Sequence, residues 1–114
     1  MAVAQQIKGQ QAVFNSGGAL ALTTALQDAS PAIANRKQKL QSLVITSDTT
    51  GVVVLADGAS PNPNVATFGV VANTPLVIAE PQLQGLPQTS IGAALQIKAG
   101  GNMNVEFTGI VGLE

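Results

Sequence analysis

The chain has 114 residues, a formal net charge of −1 and a mean hydropathy of +0.32, a length that suits one domain with one core. Charged residues are 10% and hydrophobic ones 46%, the reverse of a disordered chain, and the near-neutral charge gives no overall drive toward nucleic acid. Histidine, cysteine, tyrosine and tryptophan are absent, which excludes disulfides, thiolate or imidazole metal sites and a Ser-His-Asp triad.

Met1 to Lys8 lacks the basic-then-apolar layout of a secretory signal. No apolar run approaches the roughly 20 residues of a membrane helix, so no membrane partner is expected. Residues 1–9 are small and polar without a firm period and predict a flexible N-terminal arm, followed by one domain over residues 10–114. Gln10 to Phe14 is a short strand, and Asn15-Ser16-Gly17-Gly18 a turn that uses glycine's tolerance of positive φ. Ala19 to Gln27 fits strand or helix, and the alternation of Leu20, Leu22 and Thr24 favours strand. Asp28-Ala29-Ser30-Pro31 is expected to break whatever precedes it.

Arg36, Lys37 and Lys39 are three of the 5 basic residues. Such a run is a solvated strand start, an edge guarded against mispairing, or a contact for an acidic partner. Lys39 to Gly58 then carries two β-branched apolar runs around the polar stretch Ser47–Gly51, which predicts a central β-hairpin. Leu43-Val44-Ile45 and Val52-Val53-Val54-Leu55 are apolar at consecutive positions. One face therefore meets the core, and the other meets another protein or a covering loop.

Gly58 to Asn64 is a rigid connector, because Pro61 and Pro63 fix φ and withhold donors. Val65 to Ala72 and Pro75 to Glu80 read as strands joined at Asn73-Thr74, and Pro81 to Thr89 as a proline-bounded loop. In Ile91 to Lys98, Ile91, Ala93, Leu95 and Ile97 share one face; in Met103 to Leu113, Met103, Val105, Phe107, Val111 and Leu113 do. If these two strands pair directly, a loop over Gly100 to Asn102 sets Ile97 against Val105, with one loop residue in the left-handed region. Seven or eight short strands with turns about every ten residues suit an all-β sandwich or barrel built from Greek-key turns.

Chemistry is hard to find. The acids are Asp28, Asp48, Asp57, Glu80, Glu106 and Glu114, with no calcium-loop spacing. Two could meet in space as a glycosidase pair, but turn and strand-surface positions explain each one. Gly100-Gly101 has no following Lys-Ser/Thr and no helix, so hairpin geometry explains it better than a phosphate cradle. No catalytic, cofactor or metal residue is expected. Few charges and abundant aliphatics point instead to association with copies of itself or with a larger surface.

Leu40 to Asp57 (LQSLVITSDTTGVVVLAD), the proline-bearing strands after it, and Ala93 to Glu114 (AALQIKAGGNMNVEFTGIVGLE) together resemble small β-sandwich virion proteins of tailed bacteriophages. The likeness is to capsid decoration, or cement, proteins, in which a Leu-x-Ile strand leads through a Gly-rich turn to a final Val/Ile-rich strand. The resemblance implies a jelly-roll-like β-sandwich that forms a homotrimer, binds between subunits of the major capsid protein and resides on the phage head surface of the virion. Contact residues expected on that reading are Met1, Ala2, Val3, Ile7 and Lys8 of the arm, Arg36, Lys37 and Lys39, and Pro61 and Pro63. Within a trimer, the exposed faces of the central hairpin would meet. The alternative is a receptor- or carbohydrate-binding β-module of a phage fibre or tail.

Overall fold

A computed structural model describes residues 11–79 and 88–113. Among them the chain forms strands and no helix: β1 (Gln11–Asn15), β2 (Leu20–Leu22), β3 (Gln27–Ser30), β4 (Gln38–Ser47), β5 (Gly51–Asp57), β6 (Asn64–Val70), β7 (Leu76–Ala79), β8 (Leu95–Ala99) and β9 (Met103–Leu113). Two antiparallel sheets stack face to face. The first runs β1-β9-β4-β7, with β2 also on β9; the second runs β3-β8-β5-β6. β1 lies opposite Thr108–Gly112 and β2 opposite Met103–Val105, so they are two pieces of one edge strand. Gly17 (φ 68°) and Gly18 (φ 109°) make the break between them, at the turn expected there. Counted that way, eight strands fill two layers of four.

The topology has a simple generator. β5 pairs with β6, β4 with β7, β3 with β8, and β1 and β2 with β9. Each pair lies nearly equidistant along the chain from Ser60-Pro61. The chain is thus one long antiparallel ribbon with the proline connector at its tip. Rolling that ribbon up brings β9 against β4 and β8 against β5 and completes both sheets. This is the jelly-roll arrangement, an all-β sandwich.

Alternation fills the space between the layers. Leu40, Leu43 and Ile45 of β4 face Val53 and Leu55 of β5, Leu95 and Ile97 of β8, and Val105, Phe107 and Val111 of β9, all at most 4% exposed. Phe14 and Phe107 meet with ring centroids 6.0 Å apart, tilted by 54°. The tip is held by its own polar groups. Asn62 (φ 60°) donates its N–H to Ala59 O at 2.7 Å, and Asp57 donates its N–H to Pro63 O at 2.9 Å.

Several expectations are corrected. The run Lys39–Gly58 is not a hairpin: β4 belongs to the first sheet and β5 to the second. Ser47–Gly51 is a corner between layers. There Ser47 Oγ accepts the Thr49 N–H at 3.0 Å, and Asp48 donates its N–H to Asn104 O at 3.0 Å. The physical reason is the length of the available partner. β4 has 10 residues and β9 has 11, so a ladder between them satisfies more backbone groups than one to the 7 residues of β5.

The C-terminal strands likewise do not pair, because β8 and β9 sit in opposite layers. Their inward residues match the expected faces, except that Ile91 lies in a turn before β8 and is 65% exposed. Gly100, Gly101 and Asn102 connect them without any left-handed residue. Of the break expected over Asp28–Pro31, the first three residues finish β3 and the strand ends at Pro31. Ala19–Gln27 contains strand, not helix. The proline-bounded loop falls outside the described residues apart from Gln88 and Thr89.

Candidate assembly surface

The rolled ribbon brings separate stretches of sequence to one end of the sandwich. Gln38 pairs opposite Leu113, and Gln11 opposite Gly112, so β1 and β4 start at the same end of the sheet, on either side of β9. At the same end a buried glutamine ties the layers together. Gln38, fully buried, accepts a hydrogen bond from the Ser30 hydroxyl and donates to Pro31 O at 2.8 Å and Ala93 O at 3.3 Å. Its backbone exchanges bonds with Thr89, which donates its N–H to Gln38 O at 2.9 Å and accepts the Gln38 N–H on Oγ1 at 3.0 Å.

Asp57, at the foot of the proline connector, accepts bonds from the Ser90 hydroxyl at 2.6 Å, the Ser90 N–H at 2.9 Å and the Ala59 N–H at 2.9 Å. Burial pushes its carboxyl up, but these bonds outweigh that and hold it below the ordinary carboxylate range. Segment 88–94 thereby links the proline connector to the basic run, where Gly92 donates its N–H to Arg36 O at 2.8 Å.

Arg36, Lys37 and Lys39 are half-buried, and Pro61 and Pro63 are exposed. Lys39 stands within β4, an interior strand, and guards no edge. Basic run and proline connector share this end of the fold with Gln11, where the described chain begins. Met1, Ala2, Val3, Ile7 and Lys8 lie outside the described residues.

The outer face of the first sheet carries the larger apolar surface. Val13 sits opposite Ile110, and Val44 opposite Val77. Ile110 is half-buried, while Val13, Val77 and Val44 are 68%, 66% and 43% exposed. Next to them Gln41, the extra residue of a bulge in β4, lies flat over Gly112 and accepts a hydrogen bond from Gln11 at 2.6 Å. At the other end Val44, Thr46, Glu106, Thr108 and the Asn15–Gly18 turn line an open concavity of about 370 Å³. Glu106 is its one titratable group.

Sequence reasoning took the exposed faces of the Lys39–Gly58 hairpin as one surface, and Val44 and Val52 are the exposed large aliphatic residues of its two runs. They lie on opposite faces of the sandwich, because their strands belong to opposite layers. It missed Val13, Val77 and Ile110. Their signal was legible as apolar residues at consecutive positions, as in Leu76-Val77-Ile78 and Ile110-Val111, where a strand with one wet face would alternate. Among the described residues no group of three or more acidic, histidine or cysteine side chains gathers as a metal site.

By fold the chain is an all-β, jelly-roll-like sandwich. No protein-family model matches it, and no curated protein matches it in sequence. Solved structures with a loosely similar fold include one titled "Bacillus endospore appendages form a novel family of disulfide-linked pili", at 12% identity over 92% of this chain and 91% of that one, TM-score 0.46. Infectious bursal disease virus, Gx strain, is similar at 10% identity over 91% of this chain and 32% of that one, TM-score 0.31. The capsular polysaccharide assembling protein CapF of Staphylococcus aureus is similar at 12% identity over 75% of this chain and 23% of that one, TM-score 0.30. Likeness this loose carries no functional information.

Proposed function

We propose that this chain is a structural subunit of a virion, a capsid decoration protein that assembles as a homotrimer and clamps neighbouring subunits of a phage head shell. The observation that carries the reading is the outward aliphatic face of the first sheet, Val13, Ile110, Val44 and Val77. A domain with 10% charged residues has little else with which to cover it.

Magnitudes decide what else is needed. Burying a valine fully gains about 1.5–3 kcal/mol, so the exposed fractions here yield on the order of 3–5 kcal/mol per copy. Association costs about 4–15 kcal/mol before any surplus appears. The valine face alone is insufficient. The end of the fold where the basic run, the proline connector and Gln11 converge is positioned to supply the remaining contacts to a shell. On this reading the work is mechanical and the chain is not an enzyme. The concavity beside Val44 offers one carboxylate, Glu106, with no second acid or base to share a proton with it.

Mass spectrometry of purified particles, together with light scattering on the isolated protein, tests the proposal. The expected result is the chain in the virion and a trimer in solution. Absence from the particle, or a stable monomer whose Val44→Lys and Val77→Lys variants bind shells as well as the parent does, removes it.

A further inference from the structure

β6 closes one side of the second sheet and has β5 as its only strand partner among the described residues. Gly100 donates its N–H to Val52 O at 3.0 Å from the β8 side. The peptide groups of Val52 therefore face β8, and by strand alternation those of Val53 face β6. Val53 lies opposite Phe68, so Phe68 turns its N–H and C=O toward β5, while Thr67 and Gly69 turn theirs outward. Among the described residues nothing accepts from or donates to those outward groups.

Three observations set this edge apart. Sheet edges are ordinarily blunted by charges, prolines or bulges. No charged residue occurs between Asp57 and Glu80, and the bulge near Val65 and the prolines at 61 and 63 protect only the start of β6. Gly69 has no reason to be glycine within its own copy. Its φ is not positive, no register shift occurs there, and a Cβ placed on it would meet nothing within 4 Å. Glycine inside a strand weakens it and commonly marks the close approach of another backbone. Third, Phe14 and Phe107 are buried and pack on each other, whereas Phe68 packs against that core from its margin and stays half-buried on the open edge strand.

We propose that β6 pairs antiparallel with β6 of a second copy across a two-fold axis at Phe68, joining two four-stranded sheets into one. The register follows from the outward groups. Centring on Phe68 sets Thr67 opposite Gly69 of the second copy, and Gly69 opposite its Thr67, so both residues exchange both of their backbone hydrogen bonds. Phe68 then faces its symmetry mate in the close, non-hydrogen-bonded position, where aromatic pairs are favoured. The Thr67 side chain falls beside a glycine and meets no obstacle. A register centred on Thr67 would instead call on Val65, which the bulge has turned out of line. The stretch is complementary to its own reversal, and that selects a second copy over an unrelated strand. Specific interfaces bury roughly 800 Å² per partner. A short edge contact buries less, so the pairing depends on concentration.

Sedimentation velocity on the whole chain over a range of concentrations tests this. The wild type forms dimers or even multiples of its basal unit as concentration rises. Gly69→Lys has room for its side chain, so it melts at the same or a higher temperature, yet the edge association weakens by on the order of tenfold or more. Because the chain has no cysteine, Phe68→Cys provides a clean second readout. It cross-links to a covalent dimer under mild oxidation, and Asn102→Cys at the exposed loop between β8 and β9 does not. If Gly69→Lys associates as the wild type does and Phe68→Cys stays uncross-linked, the edge pairing is wrong. If Val44→Lys and Val77→Lys alone abolish every association, the edge pairing falls while the face reading above stands. Loss through Gly69→Lys alone has the opposite meaning.

Discussion

Gly109 is the position where a single methyl group should do most harm. It lies in β9 opposite Phe14 of β1 and Leu43 of β4. Its backbone is ordinary extended strand, so alanine meets no conformational penalty there. A Cβ at 109 would land on the Phe14 ring, 2.6 Å from Cε1, and 2.9 Å from the backbone oxygen of Ser42. The backbone oxygen cannot retreat without loosening the β4–β9 ladder, so the ring must move. Phe14 is 5% exposed and packed on Phe107. Overpacking of this kind costs about 1–3 kcal/mol, and full expulsion of the ring would approach the roughly 3–5 kcal/mol of a Phe→Ala change. Replacing a strand glycine returns about 0.5–1 kcal/mol. The net expectation for Gly109→Ala is a loss of about 2–3 kcal/mol, or roughly 10–20 °C in Tm for a chain of this size.

Urea unfolding of Gly109→Ala, Phe14→Ala and the double variant measures it. With the ring gone, Gly109→Ala should cost well under half of its wild-type penalty, because only the Ser42 contact remains. A coupling energy of about 1–2 kcal/mol results. Additivity of the two changes to within about 0.5 kcal/mol would refute the steric argument.

Three further outcomes are expected. Gln38→Leu strands the Ser30 hydroxyl and the Ala93 carbonyl inside the fold, at about 1–3 kcal/mol for each uncompensated group, and unpairs the part-buried Pro31 carbonyl; chemical denaturation should show a loss of at least about 2 kcal/mol. Gln38→Glu swaps the donor to two carbonyls for an acceptor, so burial raises its carboxyl above the usual range. Its stability is present while the group is protonated and is lost as pH rises past about 4.3; melting curves that improve toward neutral pH would contradict this. Asp57 has a depressed carboxyl, so its contribution is present above about pH 3.9 and is lost as pH falls through its lower folded value. Acid titration of Tm should therefore be steeper for the wild type than for Asp57→Asn, and identical acid limbs would argue against the Ser90 and Ala59 bonds.

Local pattern determined a great deal about this protein. The alternation Met103, Val105, Phe107 fixed the inward face of β9, and that of Leu95 and Ile97 fixed the inward face of β8. Glycines 17 and 18 and the prolines at 61 and 63 marked turns that exist. The all-β class followed from these signals.

Strand partners did not follow. A period of two says which side chains go inward, and an inward face is equally satisfied by a neighbour in the same sheet or by a sheet across the core. Ser47–Gly51 and Gly100–Asn102 have the small polar residues of hairpin turns, and corners between layers use the same residues. Only the tertiary structure decided between them. It placed the hairpin tip at Ser60-Pro61 and nested every other pair around it, because long β4 could satisfy its backbone best against the similarly long β9. The same choice turned Val44 and Val52 to opposite sides of the molecule and left Val13, Ile110, Val44 and Val77 together on one.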